Sequence, residues 1–309
     1  MNTTVDKRHE CIVEYDTPAY KPRKRRLGDR YDGRLIRTAP PMSKLMPYLM
    51  KVRSDAQNHF EDVIDITNIE KYLAEKNKEG YTDMSLLHVI LAAYVRIVSE
   101  RPAIHRFIAG QKIYSRKKLE CLMTIKKDMT LDSLDTCIKV EFDPRDNIYN
   151  VYKKFQRAVI QAKNDDGDFE KVIGSLAKLP GLMLRGIVAM LRFLDYFGRL
   201  PKALANVSPF HGSMIITSMG SLGIQAIHHH LYDFGHLPIF ISYGKMTSQE
   251  VTLADGTTEK HHFVTLKVVT DERICDGFYY ASAFKQLRRY LNHPEVLDQS
   301  PEKVVEDID

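Results

Sequence analysis

Hydrophobic and polar positions along this chain recur with two periods, and the switches between them mark out the elements. Over 263–270 the residues Val264, Leu266 and Val268 fall on one face at the period of two that a strand requires. Over 278–291 Phe278, Ala281, Phe284, Leu287 and Leu291 recur at helical spacing, which predicts an amphipathic helix packed back on the sheet. Between the two, Asp271, Glu272, Arg273 and Asp276 gather at the C-terminal end of the strand, and Gly277 permits a turn. Acidic groups flanking an arginine at a strand end fit a functional site or a solvated loop tip, and the residue types alone leave both open.

The same reading predicts a helix over 42–58, with Leu45, Tyr48, Leu49 and Val52 on one face, and a strand over 60–66. Thr67 and Asn68 are expected to cap a helix over 69–74, and Thr82 or Asp83 a second one over 86–98, apolar on most sides and ended by Pro102. A hairpin around Gly110 follows, then strands over 119–126 and 136–142, and a helix over 148–160 striped by Ile148, Val151, Tyr152, Phe155 and Val159. The polar, acidic stretch 164–168 is the best internal linker signal. After it, 179–200 is dominated by apolar residues but carries Arg185, Arg192 and Arg199. Those cations argue against a membrane-spanning helix. Burial against the domain or an oligomer partner is expected, with weak membrane contact or gating of an acyl chain as the other readings.

Composition narrows the class. With 309 residues and 44% hydrophobic content the chain can fill a real core, and a net charge of +5 does not mark nucleic acid as a partner. Much of the basic excess sits in 21–26, read as an exposed loop. Cys11, Cys121, Cys137 and Cys275 lack paired CxxC spacing, so neither a zinc site nor a disulfide framework is indicated. Residues 1–15 lack the apolar core of a signal peptide, and a cytoplasmic protein is expected. His228, His229 and His230 cannot all face one site, and no metal ligand set has recognisable spacing, so a surface or interface role is the default.

The pattern Asp271-x-Arg273-x-x-Asp276-Gly277 resembles the C-terminal signature of the dihydrolipoyl acyltransferase core of 2-oxo acid dehydrogenase complexes, and 275–278 resembles the ending of chloramphenicol acetyltransferase. The glycine-rich run 211–223, headed by His211, is similar to the run those proteins carry before their signature, and Pro102 to Phe107 and 238–245 are similar to further family segments. The resemblance spans roughly 34–297 apart from the region around 179–200. It implies an α/β two-layer sandwich, a mixed sheet with helices on one face, assembled as a homotrimer or higher oligomer with its active site at the subunit boundary. The organisation expected is an arm and basic loop over 1–33, a core over 34–297 with a helical insert near 165–205, and an acidic tail over 298–309.

The implied chemistry moves an acyl group between coenzyme A, as acyl-CoA, and a thiol, hydroxyl or amine acceptor, with no lipoyl group on this chain. It needs a base for the acceptor's proton and a donor facing the carbonyl oxygen as charge develops. The resemblance assigns the donor to Thr217, with Ser218 beside it where the family has asparagine and Arg273 as a further substrate contact. It makes Asp276 a structural anion paired with Arg37. The family's histidine is Glu272 here. A carboxylate is the weaker base in water, where a glutamate side chain titrates at about 4.3 and a histidine at about 6.5. Burial and neighbouring carboxylates would raise the Glu272 value and Arg273 would lower it. The alternative expectation is a catalytically inactive trimeric relative acting as a binding or scaffold protein.

Overall fold

The computed structural model describes residues 15, 23–126, 135–164 and 174–309. The expected arm over 1–20, Tyr15 apart, and the break at 165–168 lie outside the described residues. In chain order the elements are β1 (Gly33–Leu35), α1 (Pro41–Leu49), β2 (Gln57–Asp65), α2 (Thr67–Lys78), α3 (Leu86–Glu100), β3 (Phe107–Ala109), β4 (Lys112–Arg116), β5 (Leu119–Lys126), β6 (Asp135–Phe142) and α4 (Ile148–Asn164). Then come α5 (Gly181–Tyr196), α6 (Lys202–Val207), β7 (Met214–Ser218), β8 (Ile239–Tyr243), β9 (Thr247–Thr252), β10 (Thr258–Asp271) and α7 (Gly277–Asn292).

The main sheet runs β2-β10-β8-β7-β5-β6, with β9 added on β10. It is mixed: β7 lies parallel to β5 and β8, and the other pairings are antiparallel. Strand alternation divides the packing. Cys121, Met214, Ile216, Ile241, Val264, Leu266 and Val268 join α2, α3, α4 and α7 in one large core, whereas Leu122, Ile215, Phe240 and Val269 face the other way under Leu231 and Leu237. This is the expected two-layer α/β arrangement of a mixed sheet with helices. A small sheet, β1-β4-β3, packs at one side. Its hairpin turns through Gly110 and Gln111, both at positive φ, the geometry of a tight two-residue turn.

Helix α3 is the spine of the helical layer, buried from Leu87 to Ser99, which is why its sequence has no wet face. Its cap is Ser85 rather than Thr82 or Asp83. Met84 is buried in the core, so the chain enters the helix only after it, and Ser85 and His88 form a reciprocal capping box. The helix expected over 42–58 stops at Leu49. Continuing it would consume the Met50 and Lys51 carbonyls, which instead accept hydrogen bonds from Arg273, and would carry Arg53 away from its buried partners.

The basic stretch is not a free loop. Arg23 pairs with Glu306 and Asp309, Arg26 and Arg34 with Asp309, and Arg106 with the buried Asp307. The Val305 amide donates to the Ser99 carbonyl (2.7 Å). The acidic tail therefore straps the front of the domain. In the 179–200 region α5 has no fully buried residue, and Leu182, Met183, Met190, Phe193 and Phe197 are exposed. No helix among the described residues is long and apolar enough to cross a membrane.

Candidate functional site

Strand β10 delivers Asp271 into the interior at its C-terminal end. The carboxylate, 1% exposed, accepts from Arg273 Nε (2.8 Å) and Nη2 (2.7 Å) and from Arg53 Nε (3.3 Å). Arg53 also donates to the carbonyls of Tyr232 and Gly235, and the Tyr280 hydroxyl donates to the Asp271 carbonyl. Two guanidinium groups thus share one carboxylate and the surplus charge is spread over backbone oxygens. Arg273, expected to touch substrate, is committed to this network. The anchoring anion of the signature is Asp271, where sequence reasoning named Asp276, and its partner Arg53 was missed because 53 fell inside a presumed helix.

Asp276 is exposed and acts as the N-cap of α7, accepting from the Tyr279 amide (2.8 Å). Arg37 pairs with Asp29 (3.1 Å) and donates to the Leu35 and Leu27 carbonyls. The expected Arg37–Asp276 pair is therefore replaced within the chain by two local arrangements. Cys275 sits half-buried in the same turn, and burial pushes its thiol up to about 12, which leaves it protonated and inert.

Glu272 follows Asp271 in the turn. Its amide donates to the Ala56 carbonyl (2.9 Å) and its side chain is exposed. Thr217 is half-buried near the end of β7, its hydroxyl directed at Met219 Sδ (3.9 Å), with Ser218 beside it bonded within the turn to Ser221. Sheet register fixes how the two relate. Thr217 pairs with Ser242, and Ser242 with Lys267. Glu272 lies beyond the end of β10, about 17 Å further along at ~3.3 Å per residue and two strands across. Within one chain they occupy opposite ends of the sheet. Each end carries exposed apolar side chains: Phe278 (87%) beside Glu272, and Leu222 (56%) and Ile224 (47%) after Thr217.

A second polar cluster lies under the 179–200 region. Asp195 closes α5, and His211 and His236 come from the segments flanking β7 and β8; their ligand-type atoms lie within 4.8 Å of one another. The spacing would suit a metal ion. The neighbours do not: Arg30 already bridges Asp32 (2.9 Å) and Asp195 (2.7 Å), and Arg116 donates to His236 Nδ1 (3.0 Å). A divalent cation would meet two guanidinium groups there, so the cluster reads as an ion-pair network. Burial opposes ionisation of Asp32 and Asp195, but the His236 hydrogen bond to Asp32 (3.0 Å), the His211 ring facing Asp195 at 3.5 Å and the Arg30 charge hold both well below the usual carboxylate range. Burial pushes His211 and His236 down, keeping both rings neutral. His211 Nδ1 lies 2.8 Å from Ser208 Oγ. Residues 195, 208, 211 and 236 are too dispersed for any spacing rule; the only signal was His211 at the head of the glycine-rich word.

No protein-family model matches the sequence, and no curated protein matches it. Solved structures do. A probable dihydrolipoamide acetyltransferase from Listeria monocytogenes aligns with a TM-score of 0.53 at 14% identity, covering 82% of this chain and 93% of that one. A chloramphenicol acetyltransferase aligns with a TM-score of 0.52 at 11% identity over 84% and 99% of the two chains. The dihydrolipoamide acetyltransferase of Azotobacter vinelandii aligns with a TM-score of 0.50 at 16% identity over 91% and 99%. At such identities the likeness concerns the backbone arrangement, and the chain carries the fold common to dihydrolipoamide acetyltransferase cores and chloramphenicol acetyltransferase.

Proposed function

We propose that this protein is a coenzyme-A-dependent acyltransferase whose centre is assembled between subunits of a homotrimer, Glu272 coming from one subunit and Thr217 from the next. One observation carries the reading: the two candidate groups sit at opposite ends of one sheet, and each end presents large apolar side chains to solvent. Exposed apolar surface flanking polar groups is the mark of an unfilled interface. A cyclic arrangement that covers Phe278 with the 217–224 end of a neighbour would bring the two halves of the site together.

In the assembled centre the acceptor's X–H proton passes to the Glu272 carboxylate as X bonds to the thioester carbon. The Thr217 hydroxyl donates to the carbonyl oxygen as it becomes an oxyanion. Collapse breaks the C–S bond, and the departing thiolate takes the proton back. Arg53, Asp271 and Arg273 hold the turn that carries Glu272.

The test is thioester turnover with acetyl-CoA and a panel of thiol and amine acceptors, alongside the mass in solution by light scattering. Turnover should fall by two orders of magnitude or more in Glu272→Gln and Thr217→Ala. A monomer with unchanged turnover in both variants would overturn the assignment.

A further inference from the structure

A cavity of about 610 Å³ lies between α5, α6 and the 230–234 segment. Its walls include Leu184, Val188, Leu191, Leu204, Phe210 and Phe234, and Ser208 and His211 belong to the same lining. Volume and lining are those of a pocket for one apolar small molecule with a few placed polar groups. Ser208 and His211 are nearly buried, at 7% and 3% exposure.

The hydrogen bonds around those two residues point in one direction. The Phe210 amide donates to Ser208 Oγ (3.3 Å), so the serine's own hydrogen is free to go to His211 Nδ1, 2.8 Å away. That places the ring hydrogen on Nε2, which has no hydrogen-bond partner and lies 3.5 Å from Asp195. Asp195 is in turn gripped by Arg30 (2.7 Å). Serine, histidine and aspartate stand in the order of an acyl-transfer relay, with the third contact long, as such contacts often are without substrate.

We infer that Ser208, His211 and Asp195 form a second acyl-transfer centre, at which Ser208 takes the acyl group of an ester or thioester whose aliphatic chain fills the apolar cavity. Ser208 Oγ bonds to the acyl carbon while its proton passes to His211 Nδ1. The C–O or C–S bond then breaks, and the leaving alcohol or thiol departs with that proton. Water, deprotonated by the same nitrogen, attacks the acyl-serine; the carboxylic acid is released and Ser208 regains its hydrogen. His211 also borders a cavity of about 310 Å³ lined by Lys118 and Lys202, which gives water and the leaving group a route separate from the chain.

The test uses the full chain with a fluorophosphonate probe and a series of p-nitrophenyl esters of increasing chain length. The expected result is one adduct, mapped to Ser208 by peptide mass spectrometry and absent in Ser208→Ala, with kcat/KM rising up to about fourfold per added methylene until the cavity is full. Val188→Trp, which fills the cavity from its partly exposed rim and leaves the three polar residues in place, should flatten that chain-length dependence. A folded wild-type protein that yields no adduct at Ser208, or ester cleavage that persists unchanged in Ser208→Ala, would show that Ser208 merely satisfies its local turn and would overturn the inference.

Discussion

The Asp271 network offers the sharpest test of how this fold is held. In Asp271→Asn two guanidinium groups, each about 4% exposed, lose their shared anion while all their backbone contacts remain. Leaving a buried charge uncompensated costs about 4 kcal/mol. For a domain of this size that corresponds to a fall in Tm of about 6 °C. Arg53→Met is gentler. Asp271 keeps its two-pronged contact with Arg273, and the losses are one 3.3 Å bond and the donors to the Tyr232 and Gly235 carbonyls. Those unpaired oxygens cost about 2 kcal/mol together, or about 3 °C. The double variant should fall short of the sum, because removing Arg53 also removes one of the stranded charges. Differential scanning calorimetry and urea titration of the three variants supply the numbers. Arg53→Met as damaging as Asp271→Asn, or a loss below about 1 kcal/mol in the latter, would refute the idea that one carboxylate neutralises both arginines.

Mixing Glu272→Gln with Thr217→Ala subunits, unfolded and refolded together, should restore part of the thioester turnover that each lacks alone; no recovery in a mixed trimer would count against a shared site. Phe278→Asp should lower the mass in solution, read by light scattering, and should lower turnover with it. Burial holds His88 at about 4 and His105 at about 3, below an unfolded value of about 6.5. Stability from these rings is complete above about pH 6.5 and is lost as the pH falls towards those values, because the unfolded chain then binds protons that the folded one refuses. The unfolding free energy from urea titration should drop between about pH 6.5 and 4, by about 1.4 kcal/mol per pH unit for each ring, and His88→Phe should make that slope shallower.

Much of the architecture was legible because local and global preferences agree. Val264, Leu266 and Val268 lie inward as their alternation requires, and α3 is buried almost all round, as its run of apolar residues broken only by His88, Arg96 and Ser99 before Glu100 requires. What escaped depends on partners distant in sequence. Nothing near Arg53 announces that its counter-charge is Asp271, so the helix over 42–58 was drawn through it. Asp276 has a local use, capping α7, that competed successfully with the long-range pair expected with Arg37. The Ser208, His211 and Asp195 arrangement was invisible for the same reason, since α5 and the start of β7 meet only in three dimensions. How Thr217 and Glu272 stand relative to one another within one copy depends on sheet register, which neither short word carries.

The strap formed by residues 305–309 bears on how the protein is made. Arg34, Arg106 and the Thr38 amide are synthesised early, but the groups that satisfy them, Asp307 and Asp309, follow only after every strand and helix of the domain. A nascent domain therefore holds its β1 and β3 regions with unmatched positive charge until those two aspartates have left the ribosome. Their arrival then acts as a latch, thrown only after the body of the domain is in place.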